Sequence, residues 1–134
     1  MKALALDLGR ARTGVAVSDP SGTLVRPLPV VHEVDRPEGA AALDAVIATE
    51  QPEVIVIGQP LLMSGEAGEQ AHHASSFAGR LRRRVAARVV LLDERLSTSE
   101  ASRRMRESGS SADLDSVAAC VILEAWLRAN AEAA

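Results

Sequence analysis

Three short, uninterrupted apolar runs constrain this chain most: Ala3-Leu4-Ala5-Leu6, Val54-Ile55-Val56-Ile57 and Val89-Val90-Leu91-Leu92. None alternates with polar residues, so each reads as a strand buried on both faces. Such strands need helices above and below them. Each run also stops abruptly, at Asp7, at Gly58 and at Asp93-Glu94. At 134 residues the chain is long enough for one self-sufficient core, and 1–134 is expected to be a single domain. Phe77 and Trp126 are its only aromatics. The core must therefore come from Ala, Val, Leu and Ile, and no aromatic platform exists for stacking bases.

The rest of the pattern fills in around those runs. Lys2 to Asp7 is the first strand, Gly9 to Gly14 a turn, and Val15 to Ser18 a second strand. Asp19-Pro20-Ser21-Gly22 is a strong turn signal. Thr23 to Val31 is a third strand whose Pro27 and Pro29 place it at a sheet edge. Asp35 to Gln51 reads as a helix with Pro37 in its first turn and apolar positions at Ala41, Ala42, Ala45, Val46 and Ala48. Val54 to Ile57 is the fourth strand, Gln59 to Gly68 a loop, and Glu69 to Val85 a helix with Phe77 and Leu81 inward. Val89 to Leu92 is the fifth strand. Ser97-Thr98-Ser99-Glu100 fits a capping box for a helix running to about Glu107. Asp113 or Ser111 caps a last helix ending near Asn130. Three meander strands followed by αβ units give an α/β fold, one mixed five-stranded sheet flanked by helices.

Asp7, Glu94 and Asp115 stand out against this frame, because each sits where apolar surface should pack. An unpaired buried carboxylate is costly and is usually matched by a cation, a metal or a proton. At about 100° per residue, Ala118, Ala119, Ile122 and Trp126 all project within about 60° of Asp115, placing it in the apolar stripe of the last helix. The helix dipole alone also favours an acid there. Asp7 and Glu94 each end a buried strand, the place where open α/β sheets bind ligands. Asp93 is the neighbouring alternative to Glu94.

If the three converge, oxygen-only ligands favour Mg²⁺ or Mn²⁺ over zinc. Two hard cations about 3.5–4 Å apart activate water and stabilise a leaving oxygen, with Asp7 bridging and Glu94 and Asp115 each holding one. His32, His72 and His73 make no ligand pattern with them. Cys120 is alone, which excludes an internal disulfide and a cysteine zinc site. No signal peptide is visible and no apolar stretch approaches the roughly 20 residues that span a bilayer, so a cytoplasmic protein is expected. The net charge is −3, yet Lys2 is the only lysine among 15 basic residues, and Arg80, Arg82, Arg83, Arg84 and Arg88 cluster, with Arg103, Arg104 and Arg106 following. That is either a solvated helix face or a local phosphate-contacting patch.

The segments from Ala5 to Asp19, Val56-Ile57-Gly58-Gln59-Pro60, Asp93-Glu94-Arg95-Leu96-Ser97-Thr98 and Asp115-Ser116-Val117-Ala118-Ala119 together resemble the YqgF/RuvX family, in order and across nearly the whole chain. The resemblance implies an RNase H-like fold and a Holliday-junction-resolvase-like or pre-16S rRNA nuclease. It puts Asp7, Glu94 and Asp115 on the family's catalytic, metal-binding acids. It puts Arg10, Arg12 and Arg95 among substrate-binding residues, with Gly58 and Pro60 in a cleft-lining loop. Arginines beside a metal cluster can clamp a phosphate bidentately, and glycine lets nucleic acid approach the backbone. Two departures concern a junction-like DNA substrate more than an RNA one. The loop from Ser108 to Asp113 is short and free of basic residues, and Leu62 stands where a polar Asn is common.

Three functions follow. The first is an Mg²⁺/Mn²⁺ endonuclease acting on pre-rRNA, with ribosomal particles as partners, or on branched DNA, as a monomer or homodimer. The second is a non-catalytic binding module using the arginines between Arg80 and Arg106. The third is a phosphate loop like that of sugar kinases and actin-like ATPases, from Asp7-Leu8-Gly9 and Thr13-Gly14, but without the second domain such a cleft needs.

Overall fold

The structure, a computed structural model, describes residues 1–9, 11–59, 68–93 and 111–133, with side chains in the last helix described over 116–131. Its strands are β1 (Ala3–Asp7), β2 (Arg12–Ser18), β3 (Val25–His32), β4 (Val54–Gln59) and β5 (Arg88–Asp93). Its helices are α1 (Pro37–Glu50), α2 (Glu69–Arg82) and α3 (Ser111–Ala133). The helix expected from Ser97 to Glu107, most of the loop after Gln59, and Arg10, Pro60, Glu94 and Arg95 lie outside the described residues.

The strands form one sheet in the order β3-β2-β1-β4-β5. β1, β2 and β3 pair antiparallel, while β4 is parallel to both β1 and β5. The expected mixed five-stranded sheet is what forms, with the proline-bearing β3 at an edge. Pro27 pairs with Ala16 there, and a register shift opposite Thr13 and Val15 accommodates the Pro29 stretch.

Alternation along the strands divides the core into two layers. Leu4, Leu6, Val15, Val17, Ile55, Ile57 and Val89 pack under Leu43 of α1 and Ala74, Phe77, Ala78 and Leu81 of α2. Ala3, Ala5, Ala16, Val54 and Val56 face the other way, against Ala119, Ile122, Leu123 and Trp126 of α3. α3 lies across β1, β2, β3 and β4.

Three local expectations are corrected. β2 begins at Arg12 rather than Val15, because Asp7 already pairs with Gly14 and the connecting turn is tighter than Gly9 to Gly14. A Cβ at Gly9 would collide with the Arg12 carbonyl, so the turn closes only on a glycine. α1 buries Gly39 and Leu43, with Val46 and Ile47 partly covered, while Ala41, Ala42, Ala45 and Ala48 are exposed. The branched side chains offer more apolar area than the alanine methyls and win the inward face. α3 starts at Ser111, so Asp113 lies inside its first turn rather than at its cap, and it runs three residues past Asn130 to Ala133.

Candidate active site

The parallel strands β1, β4 and β5 finish at one end of the sheet. Leu6 pairs with Ile57 and Ile57 with Leu91, and the last β4–β5 pair is Gln59 with Asp93. Asp7 is one residue beyond Leu6, so it ends the central strand at this edge. Its parity is that of Ala3 and Ala5, which puts it on the face covered by α3. It is half-buried, and it engages in a polar or charged interaction there.

Gly58 is buried and shares the parity of Val54 and Val56, so it belongs to the same face next to β1. On β2, Arg12 has the parity of Gly14 and Ala16, again the α3 side. It is half-buried, and it too is engaged. A carboxylate on β1, a guanidinium on β2 and an open backbone on β4 therefore share one face at the carboxyl edge. Position 115 lies in the early turns of α3, four residues before Ala119 and seven before Ile122, two members of the row that packs against the sheet. Beside that row, the Ser116 hydroxyl donates to the Leu28 carbonyl at 2.8 Å and ties the start of α3 to β3.

Asp93 behaves differently. It has the parity of Val89 and Leu91 and so belongs to the α2 side, away from Asp7, where it is exposed. Gln59 is on that side as well, its Nε2 donating to Ser75 Oγ of α2 at 2.9 Å. That bond fixes the exit of β4 and leaves Gly58 as the residue presented beside Asp7. Sequence reasoning did not single out Gln59. The signal was its spacing, two residues past the inward-facing Ile57. Among the described residues no group of three His, Cys, Asp or Glu is placed to hold a metal, a set that excludes Glu94 and the side chain of Asp115. His73 is committed elsewhere, with Nε2 2.8 Å from Asp35 Oδ2. A groove of about 400 Å³ lies between the end of β3 and α1, lined by Val31, His32, Arg36, Gly39 and Val46. Among the described residues no helix is long and apolar enough to cross a membrane.

Comparison with known proteins agrees with this layout. A crystal structure of the fowlpox virus resolvase with its Holliday junction DNA substrate matches 97% of this chain and 99% of that one, with a TM-score of 0.62 at 8% identity. The Thermus thermophilus RuvC structure matches 97% of each chain, with a TM-score of 0.57 at 17% identity. These likenesses establish the fold, an RNase H-like mixed sheet. In sequence, a relative from Anaeromyxobacter sp. (strain Fw109-5), named "Putative pre-16S rRNA nuclease", is 43% identical over 132 residues, covering 95% of this chain and 96% of the relative. The family model described as "RuvX: Holliday junction resolvase" matches residues 1–129, and the chain therefore belongs to the RuvX (YqgF) family.

Proposed function

We propose that this protein is an Mg²⁺- or Mn²⁺-dependent endonuclease that hydrolyses phosphodiester bonds of structured RNA, in maturation of the 16S rRNA 5′ end. One observation carries the reading: Asp7 ends the central strand on the α3 face, at the edge where β1, β4 and β5 all stop. The other two acids suit that face by position. Asp115 lies in the helix that covers that face, four residues before Ala119, and Glu94 follows directly on the last residue of β5 in the sequence. The name of the 43%-identical relative points to the same substrate class.

Carboxylate oxygens are the donor set that hard divalent cations prefer, so the residues fit such an ion. Asp7, Glu94 and Asp115 would hold it, and when bound it supplies activation of water and stabilisation of a leaving oxygen. Arg12, with Arg10 and Arg95, orients the phosphate and balances the acids' charge. Gly58, with Pro60 after it, lets the nucleic-acid backbone approach the strand end. No partnered serine or cysteine nucleophile is called for, because water attacks.

Asp7→Asn tests this directly. Hydrolysis of a pre-16S rRNA fragment in Mn²⁺ should fall at least about a hundredfold, the scale of losing one electrostatic group at a reacting centre. RNA affinity should change less than about twofold, since one uncharged isostere replaces a single edge residue. Equal cleavage by variant and wild type would refute the reading. The family description favours a second substrate, a four-way DNA junction, and the same assay run with junctions beside RNA ends decides between them.

A further inference from the structure

The sheet has a second end, where several arginines gather. Because β4 and β5 run parallel to β1, Arg88 opens β5 at the end opposite Asp93. α2 delivers its last turn to the same place, where the Arg82 guanidinium donates to the Val89 carbonyl through Nε at 3.2 Å and Nη2 at 3.0 Å. From Gln70 to Leu92 the chain has five arginines, Arg80, Arg82, Arg83, Arg84 and Arg88, and no acid, although its net charge is −3.

Some of these charges are already matched. Arg80 Nη2 meets Asp35 at 3.1 Å and Arg84 Nη2 meets Asp44 at 3.1 Å. Glu50 is taken by Lys2 at 3.0 Å and Arg26 at 3.3 Å. Glu53 lies near Arg88, its carbonyl accepting the Arg88 N–H at 3.0 Å. Arg83 and Arg88 are exposed and have no ion pair or side-chain hydrogen bond among the described residues. The dipole of α2 accounts for basic residues in its last turn, but Arg88 is on a strand and outside that effect. Arginine presents a planar fork suited to phosphate, and Arg82 is held in place by the Val89 carbonyl.

We infer that Arg82, Arg83 and Arg88 form a second phosphate-binding surface, which holds a flanking duplex segment of the nucleic acid cut at the acidic edge; the inference rests on the nuclease reading above. The three bracket this end of the sheet from both faces, Arg82 and Arg83 at the end of α2 and Arg88 with the α3-side parity of Val90 and Leu92. Five residue steps of β5, at about 3.3 Å each, separate the two ends by about 17 Å. That is about five phosphates along one strand of a duplex.

The test compares wild type, Arg83→Gln/Arg88→Gln and Arg83→Lys/Arg88→Lys for binding RNA hairpins in EDTA over a range of salt. One hairpin has a stem of about 20 base pairs and the other about 4, on either side of the five-phosphate span. On the long stem the glutamine variant should bind roughly tenfold more weakly at low salt. Its slope of log affinity against log salt should be shallower by about 1.8, the loss of two phosphate contacts. The lysine variant should recover most of the slope, and on the short stem all three should bind alike. Unchanged affinity and slope on the long stem would overturn the surface and leave the arginines to an acidic protein partner. An equal loss on both stems would overturn it too, since the arginines would then act on the fold or the cutting edge. Wild-type cleavage is scored separately: its failure with the slope change intact would sink the nuclease reading and not this surface.

Discussion

The two faces of the sheet are built from alternate residues of the same strands, yet they differ in bulk. Under α1 and α2 lie Leu4, Leu6, Ile55 and Ile57; under α3 lie Ala3, Ala5 and Ala16, with Val54 and Val56. Large side chains hold two helices at a full layer's distance, whereas alanines allow one helix to lie close across four strands. The thin face is also the one on which Asp7 ends β1. Bulk on one side thus stabilises the sheet, and its absence on the other lets α3 lie close to the face that Asp7 ends.

The faces should therefore respond oppositely to changes in size. Leu6→Ala removes a fully buried side chain from the thick face and should cost about 2–5 kcal/mol, read as a drop in the urea midpoint. Ala5→Leu overfills the thin face and should cost about 1–3 kcal/mol. The sharper contrast is in activity. At a temperature where each variant is still folded, Leu6→Ala should cleave as the wild type does. Ala5→Leu, two residues from Asp7 and directly under α3, should lose at least about tenfold, because misplacement on the ångström scale is costly to positioned groups. Equal activity losses would erase the distinction between the faces.

Much of this contrast was legible in the sequence. The unbroken runs announced doubly covered strands, Pro27 and Pro29 announced the edge, and the spacing of Phe77 and Leu81 gave the inner face of α2. The face of α1 was not legible, because its many alanines satisfy a helical stripe in several orientations and only packing selects Leu43. The start of β2 was misread because Gly9 and Gly14 both carry turn signals, and only Gly9 serves the turn. At the strand end, alternation gives Asp93 a facing that composition could not. Asp93 and Glu94 are equivalent as acids in the sequence; the strand gives Asp93 to the α2 side, and Glu94 lies outside the described residues.

Thr13 tests whether the thick face tolerates polarity. It is fully buried in line with Val15 and Val17, and its hydroxyl finds no hydrogen-bond partner among the described residues. Such a group carries its desolvation cost uncompensated. Thr13→Val keeps the branched shape and should raise stability by about 1 kcal/mol, seen as a higher urea midpoint. Thr13→Ala should lower it by leaving a gap. A destabilised Thr13→Val protein would mean that the hydroxyl is satisfied after all.

The smallest effect belongs to neither face and serves as their control. The turn between β2 and β3 is organised by Asp19. Its Oδ2 accepts the Ser21 hydroxyl at 2.6 Å, and its Oδ1 accepts the Thr23 and Leu24 N–H groups at 2.8 and 3.0 Å. Gly22 supplies the left-handed residue, at φ 74°. The Ser21 hydroxyl first, then the two backbone N–H groups, lower the Asp19 carboxyl from its usual 3.8 to about 2. A depressed acid stabilises the fold in its charged form. Its contribution is therefore complete above the unfolded value near 3.8 and fades as pH falls toward about 2. Asp19 sits in a surface turn and is only partly covered, so screening keeps the effect small. The check is an NMR titration of the Asp19 carboxyl carbon: a midpoint near 2 in the wild type, moving back toward ordinary aspartate in Ser21→Ala. Cleavage by Ser21→Ala should match the wild type, because this turn joins the strands at the end of the sheet opposite Asp7. A loss of cleavage there would mean that the edge is coupled to the whole sheet rather than to its thin face.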